Sequence, residues 1–383
     1  MNNTFKLIFR TAGLLLAAAV LAFLLRAYQD RRRTQKQASQ REQAVELSNQ
    51  AVEVSQKGDP PRAVGLLKQA LLLAPGDSIL LANLTTIYGN MMVLEYQKGD
   101  FRKVLELGAA ARRDSVFSAT IYYLNAQAFC LDNRNDSAVS LLATASRKLP
   151  DNRDIAGRLA ELRNEALTEQ DFQQDRSGNF EIRFEGTENS EISGEVLMLL
   201  EEIRDRVGSE LGHRIRGNTS VILYSDQQFR DITHLASWAG AAFDGRIRIP
   251  VANYQNDRQM LKNVLTHEFT HAAIYDLTGG RCPAWLNEGL AMLLEGINPK
   301  EQIYIPLKDL QKPFTGLESD QALLAYKASL SAAYYLTSQY DWAFVRLLFS
   351  KMQQGSDFGP AFKEAYGISL DEFEKRWKES VGK

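Results

Sequence analysis

Cysteine, histidine and excess charge are all scarce in this sequence of 383 residues. The two cysteines, Cys130 and Cys282, could pair with each other, but they exclude a four-cysteine zinc site and a disulfide framework. The 45 basic and 47 acidic residues leave a net charge of −2, so we expect no nucleic-acid partner. Apolar residues make up 45% of the chain, which excludes wholesale disorder. The length predicts about two or three domains.

An apolar run near the start predicts a membrane anchor over residues 1–33. The stretch from Thr11 to Leu25 has no charge, and the wider span of about 7–28 approaches the roughly 20 residues that cross a bilayer. Basic residues flank it on both sides: Lys6, Arg10, Arg26, Arg31, Arg32 and Arg33. A cleaved signal peptide and a buried core helix are the alternatives. No small-residue cleavage site follows Leu25, so a single-pass transmembrane helix fits best.

A helical pattern with internal repetition follows over residues 34–171. The stretches 51–75 and 126–150 share a template, and 92–116 is a weaker copy. Small residues recur at matching offsets: Ala51, Ala63, Ala70, Ala126, Ala138 and Ala145. The turn residues Gly58, Gly99 and Asn133 are of the types that tolerate a left-handed backbone.

The spacing of these turns resembles that of tetratricopeptide repeats. Gly99 and Asn133 are 34 residues apart, which is the period of that repeat. We therefore predict an all-α, tetratricopeptide-like array in which residues 151–171 form a capping helix. A non-repeat helical bundle is the alternative. Stacked repeats commonly bind proteins on a concave face, so a protein adaptor or substrate is the expected partner.

The pattern changes near residue 176, from helices to strands and then to helices again. Residues 180–186 alternate apolar and charged side chains, 219–225 form an apolar run, and 243–251 alternate again after an Asp-Gly turn. Everything beyond residue 257 has helical spacing, apart from short loops. Strands followed by helices predict an α+β domain over residues 176–383.

Two histidines four residues apart carry the chemistry of this domain. In His267-Glu268-Phe269-Thr270-His271, the imidazoles lie one helical turn apart and can reach one ion. Glu268 lies about 100° further round the helix, where it can hold a water without binding the metal. Two imidazoles and a carboxylate suit Zn²⁺, which then keeps an open position. We therefore predict His267 and His271 as zinc ligands and Glu268 as catalytic base.

The third ligand is expected to be Glu288. Gly279 and Gly280 end the first helix and allow a sharp reversal, after which a second helix brings Glu288 back towards the imidazoles. Small residues at Gly289 and Ala291 are expected to let these two helices pack closely. Glu295 is the next candidate ligand. His213 and His234 lie upstream and are not expected to contribute.

The segments HEFTH and PAWLNEGLA resemble the peptidase MA-like family of gluzincin metallopeptidases. The resemblance covers about residues 178–380. It implies a zincin-like fold and a zinc-dependent peptidase with one zinc per chain, held by His267, His271 and Glu288, with Glu268 as base. Members often carry tetratricopeptide repeats on the same chain and are commonly exported in bacteria.

The family resemblance also implies a residue that stabilises the oxyanion and a strand that aligns substrate. Tyr326 is the first choice for the donor, with a packing role as the alternative. Residues 245–251 resemble the edge strand that pairs with peptides in such enzymes. Arg246 and Arg248 could instead protect that edge. Cys282 could be a buried thiol, a partner of Cys130 or an inhibitory metal ligand.

Two functions from different classes remain. The first is a membrane-anchored zinc peptidase whose repeats recruit a protein or peptide substrate or an adaptor. The second is a repeat scaffold whose peptidase-like domain binds zinc or peptides without cleaving. All the expected ligands and the base are present, which favours the first. By count, the basic residues after the apolar run outnumber those before it, which favours a cytoplasmic body. The short basic head resists translocation, however, so we expect an inner-membrane protein with its catalytic domain in the periplasm or outside the cell.

Overall fold

The computed structural model describes residues 3–186, 190–213, 215, 219–235, 241–254, 257–314 and 317–382. The side chains of residues 3–20, 22, 190 and 253 lie outside this description. The chain forms two compact units. The first unit comprises Met1–Met91 and Ala111–Ser118, and the second comprises Met92–Ala110 and Ala119–Lys383.

The first unit is helical and begins with one very long helix. It contains α1 (Asn3–Gln56), α2 (Pro60–Leu73) and the start of α3 (Ser78–Gln97). Gly58 has a φ of 91° between α1 and α2, as its turn position predicts. The alanines at 51, 63 and 70 are fully buried, so the first predicted helical hairpin is present.

The predicted transmembrane span of about 7–28 falls mostly on α1 residues whose side chains lie outside the description. In the part of the chain that is described, no helix combines the length and apolar character needed to cross a membrane. The anchor therefore stays a prediction.

The second unit starts with the end of α3 and continues through four further described helices, the first of which has its residues 111–113 in the first unit. These are α4 (Phe101–Arg113), α5 (Ala119–Leu131), α6 (Asn135–Lys148) and α7 (Arg153–Thr168). Gly99 and Asn133 have φ angles of 76° and 53°, so the other two predicted turns are left-handed as well. The helix–turn–helix pattern is confirmed, whereas its assignment to the tetratricopeptide class stays a prediction.

A five-stranded sheet follows within the second unit. Its strands are β1 (Gln173–Arg176), β2 (Phe180–Phe184), β3 (Thr219–Tyr224), β4 (Ala242–Phe243) and β5 (Ile247–Pro250). The spatial order is β1-β2-β3-β5-β4, with β2, β3 and β5 parallel and the two outer strands antiparallel to their neighbours. Helix α8 (Ser190–Leu211) connects β2 to β3, and α9 (Asp226–Thr233) follows β3. This arrangement agrees with the predicted α+β class.

Two expectations about the strands were wrong. Residues 243–251 are not one strand but the hairpin of β4 and β5, because the turn at Asp244 and Gly245 folds the chain back. Strand β5 therefore lies between β3 and β4, and the short β4 is the edge. Strand β1 was missed because its sequence, QQDR, is polar and mostly exposed.

Arg246 and Arg248 do not protect an edge, because both are buried under the end of α7. Arg248 Nη2 lies 2.8 Å from Glu165 Oε1, and Arg246 Nη1 lies 3.1 Å from Glu169 Oε2. Arg183 of β2 also reaches Glu169 Oε2, at 2.7 Å. We call these five residues the joint cluster. Helix α7, predicted only as a cap, thus also joins the helical part of this unit to the sheet.

Among the described residues beyond 257, six α-helices complete the second unit. They are α10 (Arg258–Thr278), α11 (Ala284–Glu295), α12 (Ser319–Gln339), α13 (Trp342–Gln353), α14 (Phe358–Tyr366) and α15 (Leu370–Val381). Buried aromatic side chains such as Phe269, Trp285 and Trp377 pack them with α8 and the sheet into one core. A Cβ added at Gly289 would meet Ser329 and Ala333 of α12. At Gly289, the close approach is therefore to α12.

Candidate metal centre

Helix α10 presents two histidines to the same site. The Asp257 side chain accepts a hydrogen bond from the Met260 amide and starts the helix, and Phe269 anchors it in the core. The rings of His267 and His271 lie on one face with their centroids 4.7 Å apart. The spacing of four residues therefore places both imidazoles at one site, as the sequence predicts.

A sharp reversal brings Glu288 to these histidines. Gly279 and Gly280 have φ angles of 66° and 90°, so the chain turns through a conformation that favours glycine. Helix α11 then begins at Ala284. Its Glu288 Oε2 lies 3.5 Å from His267 Nε2 and 3.4 Å from His271 Nε2. The ligand atoms of the three residues all lie within 4.8 Å of one another, so this group could hold a metal ion.

Glu295 contacts the other nitrogen of His267. Its Oε2 lies 3.1 Å from His267 Nδ1, on the far side of the ring from Glu288. A carboxylate at that position fixes the orientation and tautomer of a ligating imidazole. The alternative of Glu295 as a ligand therefore does not match its position. The spacing in the sequence could have indicated this contact, because Glu295 lies about two helical turns after Glu288, on the same face of α11.

Glu268 is buried beside the histidines, with 7% of its surface exposed. Burial raises the pKa of its carboxyl above the ordinary value, although His271 and His267 act in the opposite direction. A general base works best when its pKa approaches the operating pH. The environment of Glu268 therefore suits the proton transfer that the sequence predicts.

The donor set fits a divalent cation. The carboxylates of Glu268, Glu288 and Glu295 surround two imidazoles, and none of them pairs with a lysine or arginine within the described residues. His271 Nδ1 is buried and has no hydrogen-bond partner among the described residues. Burial lowers the pKa of His267, but hydrogen bonds to Glu288 and Glu295 outweigh it and raise this pKa to about 10. The protein thus concentrates negative charge around two nitrogen ligands.

A cavity of about 610 Å³ opens onto this group. Tyr326 of α12 lines it together with Glu268 and Glu288, so the structure brings the predicted oxyanion donor to the site. Burial, followed by the charges of those two glutamates, raises the pKa of Tyr326. His234, which we did not expect to contribute, lines the same cavity at the end of α9. His213 lies elsewhere, with its Nε2 2.7 Å from Asp276 Oδ2.

The two cysteines do not pair. Cys130 and Cys282 are both free thiols. Burial is the largest influence on each, and it raises the pKa of both. Cys282 does not belong to the group of possible metal ligands found among the described residues. The interpretation as an inert thiol therefore fits best.

Comparison with known protein families supports the class of the domain that contains this site. Residues 205–383 match the family model of the Peptidase MA superfamily. This match supports a peptidase MA-like domain, and with it a peptidase or hydrolase in general. It contains every residue of the candidate centre, but it begins within α8, later than the predicted domain start at 176. No curated protein matches the chain.

Proposed function

We propose that this protein is a gluzincin-type zinc peptidase. His267, His271 and Glu288 would hold the ion, and Glu268 would act as the base. The observation that carries this proposal is the approach of Glu288 Oε2 to within 3.5 Å of both Nε2 atoms, on two helices joined by a glycine turn. Two histidines and one glutamate are the protein ligands of one known class of catalytic zinc.

The chain's own groups supply the proton transfers and the orientation. When bound, zinc would polarise the scissile carbonyl and lower the pKa of an attacking water. Glu268 would accept the proton of that water and pass it to the leaving amine, a contribution worth about 10²–10⁴ in rate. Glu295 would hold His267 in the tautomer that leaves Nε2 free to bind.

Tyr326 would donate a hydrogen bond to the carbonyl oxygen as negative charge develops on it. Its raised pKa keeps the phenol protonated at neutral pH, as a donor must be. Its place on the wall of the same cavity supports this role.

The test combines metal analysis with a matched pair of variants. The full-length chain, purified in detergent, should bind about one zinc and cleave casein. Glu268→Gln should keep the zinc and lose cleavage by about 10²–10⁴. The control, Glu379→Gln, changes an exposed glutamate on α15 and should behave like the wild type. Zinc binding without any cleavage in the wild type would favour the scaffold function instead.

We propose further that residues 1–33 anchor the chain in the inner membrane, with the catalytic domain in the periplasm or outside the cell. The uncharged stretch from Thr11 to Leu25 supports the anchor, and the short basic head before it, which resists translocation, supports this orientation. The helical part would act as tetratricopeptide-like repeats that recruit substrate or an adaptor.

A reporter fusion tests this orientation. Alkaline phosphatase joined after residue 383 should be active, because this reporter folds only after export. An inactive phosphatase, together with an active cytoplasmic reporter at the same junction, would show the opposite orientation.

A further inference from the structure

A second cavity, of about 750 Å³, adjoins the candidate metal centre. His271 and Glu288 line both this cavity and the one that contains Tyr326. A peptide that places its scissile bond at the metal centre would therefore have room for a flanking side chain here. We call this space the second cavity.

Part of its wall comes from the helical segment and not from the part that matches the Peptidase MA superfamily. Tyr96, Gln97, Lys98, Gly99 and Phe101 line it at the turn between α3 and α4. All of these residues precede the match at 205–383 and belong to the same compact unit as the metal centre.

This turn is held firmly against the end of α10. A Cβ at Gly99 would collide with the backbone of Gly280, so these two glycines allow the two backbone segments to come into contact. Arg102 Nη2 donates to the Asp276 carbonyl oxygen over 2.9 Å. The wall is thus a fixed part of the cavity.

The lining is rich in aromatic rings. Phe101 lies 5.2 Å from Tyr96 and 6.1 Å from Tyr275, measured between ring centroids. Phe243 of the edge strand β4 lies 5.9 Å from Tyr275. These four rings form a row that leads from the helical turn to the sheet edge. Such a surface binds a large apolar side chain, which it removes from water.

We propose that the second cavity accepts a large apolar side chain of the substrate, next to the bond that is cut, and that the turn at residues 96–101 selects it. This inference rests on the proposed peptidase function. It makes the helical segment a direct part of substrate recognition, in addition to any recruiting role.

The experiment narrows the cavity from its exposed rim. Gln97→Trp and Lys98→Trp each place a large ring at the cavity from an exposed position, so neither disturbs the core. The matched control is Lys103→Trp, on the exposed surface of α4 and outside the cavity lining. The probes are two quenched fluorescent peptides that share one cut site. The Phe peptide has Phe on both sides of the cut bond, and the Ala peptide has Ala at these two positions.

Binding and cleavage are measured separately. The zinc-loaded full-length chain carrying Glu268→Gln should bind the Phe peptide at least about tenfold more tightly than the Ala peptide. Gln97→Trp and Lys98→Trp in that background should bring the ratio close to one, and Lys103→Trp should leave it as it is. In the chain with Glu268 intact, the ratio of kcat/KM values should follow the same pattern.

The outcomes separate this inference from the proposed function. A chain that shows no preference for Phe, or whose preference survives both tryptophans at the rim, would overturn the role of the second cavity even if it cleaves peptides. A chain that never cleaves but whose binding preference disappears with Gln97→Trp would support the cavity and overturn the peptidase function.

Discussion

The second unit contains two buried clusters of charged residues that are built on opposite plans. In the joint cluster, two glutamates at the end of α7 face two arginines of the sheet and Arg246 of the adjoining turn, and Asp244 Oδ2 pairs with Arg248 at 3.0 Å. With Asp244 counted, three arginines meet three carboxylates, so positive and negative groups are equal in number. In the metal centre, three carboxylates face only two imidazoles. Burial is similar, with Arg248 3% and Glu268 7% exposed.

The difference lies in what each cluster needs. Buried charges are tolerated when they pair with each other or coordinate a metal. The joint cluster satisfies this condition from the chain alone, so it serves the fold by fixing α7 to the sheet. The candidate metal centre has a surplus of negative charge and two converging imidazoles, so it is suited to a cation. The balance of charge thus distinguishes the cluster that stabilises the fold from the cluster that is suited to bind a cation.

The largest expected effect comes from opening the joint cluster. Arg248→Met removes one partner of Glu165 and a donor to the Tyr224 hydroxyl, and it leaves the buried cluster with more negative than positive groups. Loss of one partner from a buried pair costs about 3–5 kcal/mol. The free energy of unfolding in urea should fall by that amount.

A surface pair provides the control for this comparison. Arg376→Met breaks the exposed pair with Glu372 on α15 and should leave the free energy of unfolding unchanged within error. Equal stability of Arg248→Met and the wild type would show that the joint cluster does not hold the two parts together.

A smaller effect, on kcat alone, is expected at the candidate metal centre. Tyr326→Phe should lower kcat by about 10²–10³ through loss of a donor to the developing oxyanion, while zinc content and stability are retained. Kinetics with a quenched peptide measure this change. Tyr334→Phe, an exposed position on the same helix, is the matched control. An unaltered kcat in Tyr326→Phe would make Tyr326 a packing residue.

The smallest effect is expected for Glu295, which contacts the candidate metal centre through His267. Glu295→Ala should weaken zinc binding by about 10–100-fold in a chelator competition. Glu295→Gln should recover part of this loss, because its amide oxygen can still accept from Nδ1. If the alanine variant binds zinc as the wild type does, the 3.1 Å contact has no orienting function.

Local patterns predicted much of the fold and of the centre. The turn residues Gly58, Gly99 and Asn133 are left-handed as expected, since few residue types tolerate that backbone. Helical spacing placed His267 and His271 on one face. The edge of the sheet was assigned to the wrong strand, because the same apolar–polar alternation occurs in edge strands and in interior strands. Likewise, the polar sequence of β1 gave no strand signal.

The sequence by itself determined the features that depend on a few neighbouring residues. These are the paired histidines with Glu268, the glycine reversal before α11 and the helix–turn–helix pattern. Only the tertiary structure decided which nitrogen of His267 meets Glu295, that Arg246 and Arg248 are buried, and that residues 96–99 and 101 line a cavity beside Glu288. The physical reason is range: backbone preference and helical period act over one or two turns, whereas contacts between distant segments depend on how whole elements pack.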